Sequence, residues 1–364
     1  MAGKKQAADG FVPPPPPSPI ADAESIRARI RKRFNTDAVP EAASLYTFDI
    51  ISSGSLMLDM ALGVGGYARG RITTFSGPQH AGKTFLSLVG IASIQRHIQF
   101  HESRPARIAI IDTEQAFSMS LAELAGCNTN ERNFHVYRPG MADEALSLAM
   151  FCLGMENPDG KDREWKRIGD PYDAILFDSW AGTGTKHVGL AELAREGSDW
   201  LPTLNVNVNR AHAFFFFTNH IRQKPGVMFG NPDYEPGGNA FQHMRSVAME
   251  VRKGDVDKMP APSYKELGHI MKILIGKNKL APTEETRVKL KFDRRIGFDR
   301  AFDALEYLKY RRIAITEGLG SIHRVTLGDV TIRENGEKNF LDAIRSDPAI
   351  LEAFVSAARS VTSG

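Results

Sequence analysis

The chain has 364 residues, 42% hydrophobic and 24% charged, with a formal net charge of +3, the balance of a soluble globular protein of two or three units. No apolar run approaches the roughly 20 residues that span a bilayer, and the N-terminus lacks the apolar core of a secretory leader, so a cytoplasmic protein without membrane contact is expected. The two cysteines, Cys127 and Cys152, have neither metal spacing nor a redox CxxC pattern and read as reduced buried thiols.

Residues 1–20 form a tail in which Pro13 through Pro17 and Pro19 favour an extended arm over a packed core. Within 21–50, Ile26, Ile30 and Phe34 recur every four residues among arginines, the narrow apolar stripe of a basic helix that needs another surface to pack on. From 51 to 297 strands and helices alternate. Strands are predicted at 71–75, 107–112, 172–178 and 212–218, with helices between them such as 85–94 and 142–155. Nearly continuous apolar strands in that alternation predict an α/β fold around a mostly parallel sheet covered on both faces. Closely spaced strands at 246–251, 269–275 and 286–292 suit an antiparallel extension of the sheet. Residues 298–364 read as a small α+β domain: a helix, a hairpin over 324–333, and helices over 338–344 and 348–361. Between Arg252 and Arg312 sixteen Lys or Arg stand against nine Asp or Glu, a surface that is either simply solvated or phosphate-facing.

The stretch GPQHAGKT, comprising Gly77, Pro78, Gln79, His80, Ala81, Gly82, Lys83 and Thr84, fits the phosphate-binding pattern G-x-x-x-x-G-K-[ST]. It follows a predicted strand and opens a helix at Phe85, the context that the pattern requires. Its glycines let backbone N–H groups wrap phosphates, and the helix N-terminus adds positive potential. Lys83 reaches the β- and γ-phosphates of ATP, and the Thr84 hydroxyl is a ligand for Mg²⁺. Asp178 ends a buried strand, where an unpaired carboxylate is costly and a magnesium ion beside Thr84 explains it. Glu114, just past the strand ending in Asp112, is the candidate to position and polarise the attacking water, with Asp112 as a competitor. Behind Phe214–Phe217 runs NHIRQKPGVMFGNPDYEPGGNA, Asn219 to Ala240, a long glycine- and proline-rich connection of the length usually found in functional loops.

ISSGSLMLDMALGVGGYARGRITTFSGPQHAGKT resembles the opening of the bacterial RecA recombinase core, and GVMFGNPDYEPGGNA is similar to that family's second DNA-binding loop. GKNKLAP resembles its segment carrying two lysines. The resemblance covers about residues 21–361 and implies a RecA-type P-loop ATPase core with an N-terminal helix arm and a small α+β C-terminal domain. It implies a DNA-dependent ATPase that forms helical filaments on single-stranded DNA and pairs and exchanges strands with homologous duplex DNA, using ATP and Mg²⁺. Single-strand-binding or loader proteins are expected partners. Two other readings share the nucleotide core: a slow-turnover filament or mediator protein, and a hexameric translocase or helicase.

Several residue roles follow from the same resemblance. Arg222 and Lys224 meet DNA phosphates, with Gln223 between them in the DNA-binding segment; Pro225 lies in the half of the loop that wedges between bases; Gly226, Gly237, Gly238 and Asn239 bring main-chain and side-chain donors to the strand. His220 stands where the family usually has the glutamine that senses the γ-phosphate. Lys277 and Lys279 extend into the neighbouring subunit's nucleotide site. The chain also departs from the pattern. The first DNA-binding loop is shortened to about 182–186, the segment between Glu114 and Asp178 is longer, and the family's adenine contacts are missing at Ser118 and Leu121, which leaves Phe292 to stack on the base. The closing RSVTSG lacks an acidic tail, from which weaker self-inhibition of duplex access is expected.

Overall fold

In the computed structural model, nine strands build one central sheet. The structure describes residues 48–157, 165–183, 190–223, 233–259, 263, 265–282, 286–313, 315–317, 322–327 and 330–360, together with 25, 28, 29, 32 and 33. In chain order the strands are β1 (Ile72–Gly77), β2 (Ile108–Asp112), β3 (Phe134–Tyr137), β4 (Ala174–Asp178), β5 (Phe214–His220), β6 (Val247–Lys258), β7 (Glu266–Asn278), β8 (Thr286–Asp293) and β9 (Gly297–Phe298). Across the sheet they stand β9-β8-β7-β6-β1-β5-β4-β2-β3. The run from β6 to β3 is parallel throughout. The β6-β7-β8-β9 side is antiparallel, the extension that the sequence suggested.

The phenylalanine run shows why this sheet needs two covers. Phe214 and Phe216 enter one core with Tyr67, Phe75 and the helices Leu56–Leu62, Lys83–His101 and Arg300–Tyr310. Phe215 and Phe217 enter the other, against Ala142–Cys152, Leu190–Ala211 and Gly238–Met244. Strand side chains alternate between faces, and each ring taken out of water contributes about 1.5–3 kcal/mol. The Phe217 ring lies 5.0 Å from that of Phe177, and Phe216 lies 5.0 Å from Tyr67. The strand is therefore fixed from both sides, and with it the position of His220 at its end.

By contact density the chain divides into two units, Met1–Phe48 and Asp49–Gly364. In the first, Ser25, Ala28, Arg29, Lys32 and Arg33 are helical, as expected, and the last four are exposed. Ile26, Ile30 and Phe34, like the proline-rich tail, lie outside the described residues. In the second, the predicted hairpin pairs Ile322–Leu327 with Val330–Asn335, and Arg324 faces Arg333. No helix among the described residues is long and apolar enough to cross a membrane.

A buried carboxylate joins the two ends of this unit. Asp303 on helix Arg300–Tyr310 accepts from Ser55 Oγ at 2.6 Å, Leu56 N at 2.7 Å and Met57 N at 3.3 Å, closing the N-terminus of helix Leu56–Leu62. Burial nevertheless pushes its carboxyl up from 3.8 to about 7, and Asp59 nearby is pushed up to about 6, also by burial. A carboxyl raised on folding holds its proton more tightly in the native state, so its stabilisation is complete below 3.8 and is lost as pH rises through about 7. Urea unfolding at pH 5 and pH 8 is expected to show Asp303→Asn with a flatter pH dependence than the parent, by about 2–3 kcal/mol across that interval. Parallel profiles would remove Asp303 as the titrating group.

Candidate active site

The phosphate loop lies between β1 and helix Lys83–His101. A Cβ added to Gly77 would stand 2.0 Å from the Val251 carbonyl oxygen, and one on Gly82 (φ 100°) would stand 2.6 Å from Met271 Sδ. Only glycine fits these two positions, because the loop is pressed against β6 and β7. Pro78, Gln79 and His80 are exposed at the loop's crown, whereas Ala81 and Phe85 are buried below it. Lys83 is folded inward and donates from Nζ to the carbonyls of Gly77 at 3.0 Å and Pro78 at 2.8 Å. Burial draws its pKa down, while Asp178 and Glu114 oppose the shift.

Asp178 closes β4, next to β5. Thr84 Oγ1 donates to its Oδ2 at 2.9 Å and Thr218 Oγ1 donates to its Oδ1. Burial raises the carboxyl's pKa, and those two hydroxyls offset it only in part. A half-buried carboxylate held by hydroxyls beside a threonine of the phosphate loop is an oxygen set suited to a hard cation that keeps its waters and takes phosphate oxygens. Among the described residues no cluster of three His, Cys, Asp or Glu forms a dedicated metal cage, and Mg²⁺ bound with a nucleotide requires none.

The two candidate water-polarising carboxylates separate clearly. Asp112 is 1% exposed and accepts from Ala116 N, Phe117 N and Arg138 Nε at 3.0–3.2 Å, so it is committed to holding the turn after β2. Glu114 projects from that turn. Its Oε1 accepts from His220 Nε2 at 2.7 Å and from Ser179 Oγ. These bonds hold its carboxyl down at about 2, with His220 the largest cause and Lys83 a further one. His220 Nδ1 lies 3.4 Å from Lys83 Nζ. A lysine only donates, so Nδ1 accepts and Nε2 carries the proton. A hydrogen-bonded chain thus runs from Lys83 through His220 to Glu114.

His220 also begins the long loop. Arg222 and Gln223, both exposed, pair with Tyr234 and Asp233 at its neck; Lys224, Pro225 and Gly226 lie outside the described residues. The loop returns at Pro236, whose carbonyl accepts from the buried Asn219 Nδ2 at 2.9 Å. Gly237 follows with φ 113°, its added Cβ 2.5 Å from Trp180 Nε1, and Gly238 and Asn239 open helix Gly238–Met244 with both residues exposed. At the other end of that helix, Lys277 Nζ donates to Gln242 O at 2.6 Å and Lys279 Nζ to His243 O at 2.8 Å. Asn278 between them is anchored on Leu62 O at 2.9 Å. The two lysines therefore hold the helix behind the loop and do not join the Lys83 cluster of their own chain.

Phe292 is 7% exposed, its ring edge-on to Phe85 at 4.6 Å and tilted against His269 at 5.4 Å, so it packs beside the helix that the phosphate loop opens. Ser118 accepts from Leu121 N and caps helix Met119–Leu124, which explains an uncharged residue there. Sequence reasoning missed Thr218 and Ser179, whose roles arise only when β4 and β5 stand side by side. It also missed a row of cations. Arg252 faces Lys272, and Lys272 faces Lys289, across β6, β7 and β8, all three exposed. Like charges opposed on a sheet are destabilising, and the sixteen-to-nine excess of cations in this part of the chain was the signal for them.

A model of the RecA N-terminal domain matches residues 23–155 and 180–297. The interval between the two matched stretches takes in the polar segment and β4, so the place of Asp178 rests on its geometry. Over 272 residues, 71% of this chain and 68% of each relative, the sequence is 33% identical to Protein RecA of Francisella tularensis subsp. novicida strain U112. The same values hold for Protein RecA of subsp. holarctica strain LVS and subsp. tularensis strain SCHU S4.

Proposed function

The chain belongs to the RecA family, and on that footing we propose that it is a DNA-dependent ATPase that assembles on single-stranded DNA and carries out homologous pairing and strand exchange. The observation that carries this reading is the Lys83–His220–Glu114 chain, which joins the phosphate loop and the water-polarising carboxylate to the neck of the long loop at the end of β5. Gly77 through Phe85 hold the triphosphate, and Thr84 and Asp178 hold Mg²⁺, which when bound neutralises charge on the phosphate oxygens. A γ-phosphate competes for Lys83 and His220, both donors that are otherwise engaged with protein acceptors. Moving His220 moves the start of the segment that carries Arg222, Gln223, Lys224, Pro225 and Gly226, while Gly237, Gly238 and Asn239 fix its return. Lys272 and Lys289, exposed beside an Arg252 that is paired with Asp233 and Glu250, offer phosphates a second surface, suited to the homologous duplex.

The decisive experiment measures single-stranded oligonucleotide binding by anisotropy with and without a nonhydrolysable triphosphate, alongside electron microscopy of the assemblies. Triphosphate-dependent tightening and helical filaments are expected, and His220→Ala is expected to bind DNA equally in both conditions at unchanged nucleotide affinity. A parent protein that stays dispersed and ignores DNA would overturn the reading; a variant that still tightens would remove His220 from the coupling. One observation favours a slower filament protein as the second reading: the Glu114 carboxyl, held near 2, is a weak base until its partners let go. Filaments on DNA with slow turnover and no efficient strand exchange would support it.

A further inference from the structure

Ser179 is fully buried where β4 meets the short turn Trp180–Gly182. Its N–H donates to Thr113 Oγ1 at 2.9 Å, and its carbonyl accepts from Thr113 Oγ1 at 2.7 Å and Thr183 Oγ1 at 3.1 Å. Its hydroxyl accepts from Gly182 N at 3.1 Å and donates to Glu114 Oε1. Gly182 leans on the same carboxylate: a Cβ there would stand 2.6 Å from Glu114 Cγ and 3.2 Å from Ser179 Oγ.

Glu114 Oε1 is thus the meeting point of two bonds with separate origins. One comes from His220 at the neck of the long loop, the other from Ser179 at the base of the turn. A carboxylate with one oxygen pinned from two sides cannot rotate about its last torsion, and it presents the other oxygen in a fixed direction. We propose that Ser179 is a positioning residue for Glu114, and that the Trp180–Gly182 turn, which holds Ser179 Oγ, sets the reach of that carboxylate. This rests on the reading of the protein as a DNA-stimulated ATPase in which Glu114 polarises the attacking water.

The test uses the full-length protein and two variants, Ser179→Ala and Gly182→Ala, with ATP hydrolysis measured with and without saturating oligo-dT and nucleotide affinity measured separately with a fluorescent ATP analogue. Ser179→Ala is expected to keep nucleotide affinity while DNA-stimulated kcat falls about three- to tenfold, the worth of one hydrogen bond. Gly182→Ala, whose added Cβ presses on Glu114 Cγ and on Ser179 Oγ while leaving the hydroxyl in place, should show the same split, and thermal unfolding reports whether either variant is folded. Parent-like stimulation in both folded variants overturns the proposal. So does a joint loss of nucleotide affinity and kcat, which would make Ser179 a purely structural residue. A parent protein that hydrolyses no ATP with DNA fails the underlying reading instead, and the proposal falls with it.

Discussion

Glu114→Gln is expected to lose ATP hydrolysis by about 10²–10⁴-fold while retaining nucleotide affinity. The substitution is nearly isosteric and its amide oxygen can still accept from Ser179 and His220, so the arrangement around the turn is kept and only the charge is removed. That charge is present throughout the working pH range, because its partners hold the carboxyl near 2. Asp112 cannot replace it, since its oxygens are taken by Ala116 N, Phe117 N and Arg138. Single-turnover hydrolysis, with binding of a fluorescent ATP analogue as the control, makes the measurement. Residual hydrolysis within about tenfold of the parent would mean that water is positioned by another group, and the assignment of Glu114 would be withdrawn. Glu114→Asp is the companion variant. It keeps the charge but falls short of His220 and Ser179, so loss of rate there would show that reach matters as well as charge.

Much of the parallel sheet was legible because buried strands in an α/β fold announce themselves as short apolar runs ending in Gly, Asp or His. The ends of β1, β2, β4 and β5 carry Gly77, Asp112, Asp178 and His220, so finding the strands also found the site. Boundaries were less legible. β6 continues through the solvated Arg252–Lys258 because backbone pairing with β7 sustains it after the apolar pattern stops. β3 escaped notice since FHVY, half-buried at the sheet edge, has too few apolar residues to stand out. The bonds that orient the site were illegible for a different reason. Ser179 reaches Glu114 across 65 residues and Thr218 reaches Asp178 across 40, and no local pattern encodes such a pairing.

Reversing both charges in Lys277→Glu/Lys279→Glu is expected to abolish stimulation of ATP hydrolysis by DNA and to leave ATP binding by the dilute protomer unchanged. The second half follows from position: the phosphate loop's own lysine is Lys83, and the hydrogen bonds of Lys277 and Lys279 go to Gln242 O and His243 O instead. The first half follows from what that helix joins. Its start is Gly238 and Asn239, where the long loop returns, and its end carries outward-pointing carbonyls that favour a cation and repel a carboxylate. In the arrangement that the family resemblance implies, the same ammonium groups would meet a neighbour's γ-phosphate, which would give each lysine a second acceptor beside the carbonyl it now holds. Burial and the neighbouring cations Lys279 and Arg245 already lower the pKa of Lys277, which makes a negatively charged acceptor across a subunit joint the more favourable one. Lys277→Gln/Lys279→Gln separates the two roles, because a glutamine amide still donates to a carbonyl but carries no charge. Stimulation restored in the glutamine pair would assign the lysines to holding the helix; stimulation absent in both pairs would assign them to the neighbour's phosphate. Stimulation that survives the glutamate pair would make both lysines peripheral, and the coupling between nucleotide and DNA would then have to run through His220.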